Sequence, residues 1–102
     1  MNNETGARPV KRIEMVLQQD VFGQIAEKLD ALGISGYTMI EDVRGRGERG
    51  LRSGISLGVF QYHYLLIACT AEQVGPIAEM VRPYLKRFGG MCMVSDAEWI
   101  IH

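Results

Sequence analysis

Val59-Phe60-Gln61-Tyr62-His63-Tyr64-Leu65-Leu66-Ile67-Ala68-Cys69 is the run on which the fold turns. Aromatic and branched side chains dominate it, the types that fit a pleated, half-buried surface. Phe60, Tyr62 and Tyr64 share one face at a two-residue period, and Gln61, His63, Leu65 and Ile67 share the other. A strand that is bulky on both sides has to be covered on both sides. Directly after it, Thr70 and Gln73 stand at capping-box spacing. Val74, Ile77, Ala78, Val81, Tyr84 and Leu85 then recur at helical spacing. Pro76 is tolerable only near the first turns of that helix, and Pro83 is expected to kink it. Gly89-Gly90 ends the helix, Met91 to Ser95 reads as a further strand, and Glu98 to His102 as a short apolar tail able to add an edge strand.

On the other side of this run lies Arg44 to Gly58, with five glycines, four arginines and no sustained period: a loop. Before it, Gly36 to Val43 alternates as a strand, with Tyr37, Met39, Glu41 and Val43 opposite Thr38, Ile40 and Asp42. Lys11 to Gln18 alternates too, with Ile13, Met15 and Leu17 on one face. Asp20 is placed to cap a helix carrying Phe22, Ile25, Ala26, Leu29 and Leu32, and Gly33 is a natural residue just past its end. The order is β-α-β-β-α-β, an α+β ferredoxin-like sandwich. Two helices cover one face of such a sheet. The other face stays open in a single copy, which predicts a homo-oligomer.

Residues 1–9 are polar and read as a flexible lead, leaving 10–102 as one domain. With 102 residues the chain can bury a core without a staple. A formal net charge of −1 gives no support to a nucleic-acid or membrane-surface role. Cys69 and Cys92 sit in apolar runs without CxxC spacing, so they read as reduced, buried thiols and not as metal ligands. There is no apolar leader and no run long enough to cross a membrane, which points to the cytoplasm.

Gly45-Arg46-Gly47-Glu48-Arg49-Gly50 matches G-x-G-x-x-G, but no helix pattern opens inside it, so a dinucleotide fingerprint fails on context. Glycines still let backbone N–H groups turn into one concavity, and arginines supply bidentate donors for phosphate or carboxylate. The competing reading is a solvated connector. Gly89-Gly90, preceded by Lys86 and Arg87, is a second anion candidate, although cations there also complement the helix dipole. His63 reads as structural, Glu41 and Asp42 point to opposite faces, and Met91 and Met93 read as packing residues. Trp99 is placed to anchor the tail on its own sheet or on a neighbour. No nucleophile stands with a positioned base, so no catalysis is expected.

Lys11-Arg12-Ile13-Glu14-Met15-Val16-Leu17, the helix end Leu32-Gly33, Ser35-Gly36-Tyr37-Thr38 and Arg44-Gly45-Arg46-Gly47 together resemble the PII signal-transduction superfamily. Val94-Ser95-Asp96-Ala97-Glu98 is similar to that family's last core strand. The chain lacks the modifiable loop tyrosine of nitrogen-regulatory members, and Lys86-Arg87-Phe88-Gly89-Gly90 lacks their lysine-bearing glycine motif for triphosphate. It also shows no paired-cysteine extension of the kind common beside bicarbonate transporters. The resemblance is therefore to the carboxysome-associated branch. It implies a homotrimer with three clefts between subunits that take ADP or AMP, with bicarbonate. Thr38 would face adenine, and Gly45 and Gly47 would lie beside the nucleotide. Arg46, Arg49 or Arg52 would meet phosphate or bicarbonate, and Gly89, Gly90 and Met91 would offer backbone contacts. The implied role is a regulator acting on a carbon-uptake transporter or a carboxysome-linked protein. A nitrogen-regulatory PII homologue and a small ferredoxin-like phosphatase are the alternatives.

Overall fold

Ile13, Met15 and Leu17 alternate along the first strand and are almost wholly removed from solvent. They form the floor of the core. The computed structural model describes residues 6–34, 36–44 and 61–101. Its elements are β1 (Ala7–Gln18), α1 (Gln19–Ala31), β2 (Thr38–Val43), β3 (Tyr62–Cys69), α2 (Ala71–Phe88) and β4 (Met91–Ile100). They make one antiparallel sheet in the order β2-β3-β1-β4, the expected βαββαβ sandwich. Leu65, Ile67 and Cys69 of β3 face the same way as the β1 residues. Val21, Ile25 and Leu29 of α1, with Ile77 and Val81 of α2, close over them.

The first strand is longer than its alternation suggested. It begins at Ala7, so Ala7 to Pro9, read from sequence as part of a flexible lead, belong to the sheet. The tail is likewise no separate edge strand: Glu98 to Ile100 continue β4. Ala7 pairs with Ile100 and Arg8 with Trp99, and the Ile101 N–H donates to the Gly6 carbonyl at 2.6 Å. Pairing with β3 stops at Lys11, opposite Cys69. The two strands therefore run on as a ribbon past the end of β3. The mutual ladder satisfies their backbone groups, which a hydropathy pattern alone does not reveal.

Gln18, not Asp20, is the residue before α1. Asp20 lies inside the first turn, where its charge still favours the helix N-terminus. Val21 takes a core position, while Leu32 is exposed. Gly33 adopts φ 84° just past the helix and donates its N–H to the Asp30 carbonyl at 3.0 Å. The capping box of α2 forms as read, with the Gln73 side chain accepting from the Thr70 N–H at 2.9 Å. That helix continues as one element through both prolines. Each proline leaves one carbonyl without its intrahelical donor, at Glu72 and Glu79. Both of those residues are exposed, so water can serve. Val59 and Phe60 fall outside the described residues; from Tyr62 the alternation holds, with His63 buried and Tyr62 half-buried.

Opposite residues of an antiparallel pair share a face. The face away from the helices thus carries Thr38 and Ile40 of β2 and Tyr62, Tyr64 and Leu66 of β3. Arg12, Glu14 and Val16 of β1, with Met91, Met93 and Trp99 of β4, complete it. Ile40, Met93 and Trp99 are 52%, 52% and 44% exposed. An apolar face this open calls for a cover.

Candidate functional site

Three backbone segments lie along one end of the sheet, spread across its four strands. The first is the end of β1, where Gln18 lies opposite Tyr62 and the Gln19 N–H donates to the Gln61 carbonyl at 2.8 Å. The second is the base of the long loop, where Val43 lies opposite the same Tyr62. The third is the turn from α2 into β4. There Gly89 has φ 84° and Gly90 φ 104°, and the Gly89 N–H donates to the Leu85 carbonyl at 2.9 Å. A Cβ on Gly90 would collide with the Val16 carbonyl oxygen. Glycine at 90 is thus demanded by the close approach of β4 to β1, whatever else the turn does.

The Gln18 side chain ties the first segment to the third. Its Nε2 donates to the Phe88 carbonyl at 3.1 Å. Its Oε1 is buried and meets no hydrogen-bond donor among the described residues.

The loop leaves β2 through an irregular step. Register shifts between Ile40 and Val43, and Asp42 sits at φ 60°, in the left-handed region. The Asp42 N–H approaches His63 Nδ1 at 3.4 Å, and the His63 ring stands edge-to-face against Phe22 at 5.8 Å. His63 is a packed partner of a β-bulge, in line with its structural reading.

Of the residues singled out from sequence, Thr38, Gly89, Gly90 and Met91 are described; Gly45, Arg46, Gly47, Arg49 and Arg52 lie outside the described residues. Thr38 is exposed at the start of β2, opposite Leu66. The Gly89-Gly90-Met91 turn feeds β4 on the far side of the sheet. β2 and β4 are the two edges, separated by three strand spacings, about 14 Å. Within one copy, then, these two groups do not converge on a common point. Reasoning from the sequence missed Gln18, which reads as an ordinary strand-end polar residue. It also missed the packing demand at Gly90.

The thiols are not poised for chemistry. Burial pushes both Cys69 and Cys92 up from the ordinary thiol value. Among the described residues no group of three or more His, Cys, Asp or Glu is placed to hold a metal. Two shallow surface depressions, of about 560 and 500 Å³, flank the β1–β4 ribbon near Pro9, Val10 and Ala71. They lie some six residues along β1 from Val16, about 20 Å from the Gly90 corner.

The family model for nitrogen regulatory protein P-II matches residues 10–101. This chain belongs to the P-II family. Among solved structures, it is similar to CPII from Thiomonas intermedia K12, a nitrogen regulatory PII-like protein. CPII bound to ADP and bicarbonate superposes with a TM-score of 0.80 at 26% identity, covering 94% of this chain and 93% of CPII. CPII bound to ADP, AMP and bicarbonate gives 0.78 at 25% identity, covering 91% and 97%. The GlnK–ATP complex of B. subtilis, at 19% identity and a TM-score of 0.66 over 87% and 82% of the two chains, shares the fold. No curated protein matches in sequence. The P-II fold agrees with the topology read from the sequence, and no helix among the described residues is long and apolar enough to cross a membrane.

Proposed function

We propose that this P-II family chain is a cytoplasmic regulator, not a catalyst, that binds ADP or AMP together with bicarbonate in the clefts of a homotrimer. The observation that carries the reading is the likeness to CPII, which holds ADP and bicarbonate on the same fold at 26% identity. The geometry of this chain supports it. Thr38 and the Gly89-Gly90-Met91 turn occupy opposite sheet edges, so a cleft using both is built from β2 of one copy and β4 of the next. The open face with Ile40 and Met93 gives the copies a surface to share. Arg46, Arg49 or Arg52 would meet phosphate or bicarbonate from the loop rooted at Val43 and Tyr62.

In this reading the occupied cleft changes what the Arg-Gly loop presents to a partner, a carbon-uptake transporter or a carboxysome-linked protein. Ligand would thereby report energy and inorganic-carbon status. Such a shift requires that ligand bind the two loop states with different affinity. Isothermal titration of the full chain with ADP, AMP, cyclic AMP and ATP, each with and without bicarbonate, tests it. The expected result is saturable binding of ADP or AMP, tightened by bicarbonate. Folded protein that gives no heat in any combination overturns the reading.

A further inference from the structure

We propose that the tip of the β1–β4 ribbon is a contact between copies of this chain, in which Trp99 of one copy stacks on Arg8 of the next. The inference rests on the homotrimer reading above and adds a contact region to it.

The sheet of a single copy leaves Trp99 uncovered. Pairing with β3 stops at Lys11, opposite Cys69, so from Val10 outward the ribbon has two strands. The helices pack on the other face. A two-stranded ribbon alone is marginal in water, yet this one keeps unbroken register from Val16–Met91 to Ala7–Ile100. It ends in Trp99, Ile100 and Ile101, all exposed. An indole left in water forgoes the large burial that aromatic side chains bring to cores and interfaces.

Arg8 supplies the chemistry of the mate. It is exposed and lies directly across from Trp99 on the same face. The bond from the Ile101 N–H to the Gly6 carbonyl puts 6–101, and by alternation 8–99, among the hydrogen-bonded pairs. Side chains of such a pair rise side by side from Cα atoms about 5.5 Å apart. Arg8 and Trp99 make no cation–π contact within the copy; among the described residues that contact is made by Arg87 on Phe88. Each copy thus presents an unstacked indole and an unstacked guanidinium on one strip, two side-chain types enriched at the strongest points of interfaces. Rotation about a threefold axis matches them. The indole of each copy takes the guanidinium of the next, and the ring closes with none left over. A shallow hollow of about 500 Å³, bordered by Arg8, Val10 and Trp99, gives the incoming side chain room. The strip also runs on through Ala97 and Met93 into the open face, where the homotrimer reading joins the copies. A foreign protein would have to reproduce both halves of the contact; a second copy carries them already.

Trp99 is the single tryptophan of the chain, so its fluorescence reports this contact alone. The full chain is measured for mass by light scattering, for acrylamide quenching, and for subunit exchange between tagged and untagged copies by native mass spectrometry. In the trimer, Trp99 is expected to be quenched several-fold less than free tryptophanamide. Arg8→Met and Trp99→Ala, shown folded by circular dichroism, should each speed exchange by about tenfold or more, the scale of a desolvated cation–π contact. Arg8→Met should also open Trp99 to acrylamide. The double variant should exchange no faster than the faster single one, because both changes remove the same contact. A trimer whose Trp99 is quenched like the free compound overturns the proposal alone, as does protection gained only on adding phospholipid vesicles. Protection with unchanged exchange in both variants means that the chain covers its own indole, and overturns it too. Single effects that multiply in the double variant separate the two residues and do the same. A chain that is monomeric at every concentration removes the homotrimer reading and this contact with it.

Discussion

The phenol of Tyr64 on β3 donates to Glu14 Oε2 on β1 at 2.6 Å, on the sheet face that the helices leave open. Arg12 extends the contact, with its Nε 3.7 Å from Glu14 Oε1 and 3.0 Å from Ser95 Oγ on β4. Three strands are thus stitched by side chains in the middle of an otherwise apolar surface. The bond to Glu14 holds the Tyr64 phenol above the ordinary tyrosine value, and Arg12 opposes it weakly. A phenol raised in the folded state stabilises the fold below the unfolded value near 10 and loses that contribution as pH climbs through the folded one. Ultraviolet titration should therefore show one late-ionising tyrosine that Tyr64→Phe abolishes. An unchanged titration in the variant would mean that the Glu14 contact does not persist in solution.

Ile40 and Met93 stand on the same open face, each 52% exposed. A charge there is harmless to a monomer and costly in a shared interface. Met93→Glu and Ile40→Glu should convert a trimer to smaller species by light scattering while leaving far-ultraviolet circular dichroism intact. A trimer mass retained by both variants would place the interface elsewhere.

Gly90 separates a packing role from a ligand role. A side chain there meets the Val16 carbonyl, which is backbone and cannot swing aside, and φ 104° strains any residue with a Cβ. Gly90→Ala should lower unfolding free energy by about 2 kcal/mol or more without ligand present. A urea midpoint equal to wild type would show that the turn relaxes freely.

The fold was legible because its core obeys simple periods. Ile13, Met15 and Leu17 keep the two-residue alternation, and Ile77 and Val81 the helical one, so burial follows directly from spacing. Ends were less legible. Ala7 to Pro9 carry no alternation to mark a strand; only pairing with Glu98 to Ile100 makes them one. Asp20 has the chemistry of a cap, yet the helix begins at Gln19 with Gln18 before it, and the Gln18 side chain is spent on Phe88. The site divides the same way. Glycines at 89 and 90 announce a turn, but the collision with Val16 belongs to a strand that lies far away in sequence. The tie from the Gln18 amide to the Phe88 carbonyl is hidden for the same reason, since it joins positions far apart in the chain.

Cys69 is 5% exposed, and burial raises its thiol. The thiolate is the reacting form, so both access and ionisation protect it. Near pH 8, Cys69 should label with a thiol reagent only as fast as the protein opens. Cys92, half-buried on β4, should react sooner. Fast labelling of Cys69 in native conditions would contradict the packing of β3 against the helices.

Asp42 links backbone strain to the loop. At φ 60° it occupies a region that asparagine, aspartate and glycine accept and branched residues resist. Its N–H faces His63, and the next residue, Val43, closes the loop base against Tyr62. Asp42→Gly should be neutral or slightly stabilising, since it removes the Cβ penalty at the cost of chain entropy. Asp42→Val should lose about 1–2 kcal/mol in urea unfolding, from the left-handed conformation alone. The functional consequence follows from where the strain sits. If the bulge sets the direction in which Arg44 and the arginines beyond it leave the sheet, Asp42→Val should weaken ADP binding by more than its stability loss accounts for. Asp42→Gly should bind nearly as wild type does, because it can still adopt the same turn. Equal ADP affinity in all three folded proteins would uncouple the bulge from the ligand, leaving it a feature of strand geometry only.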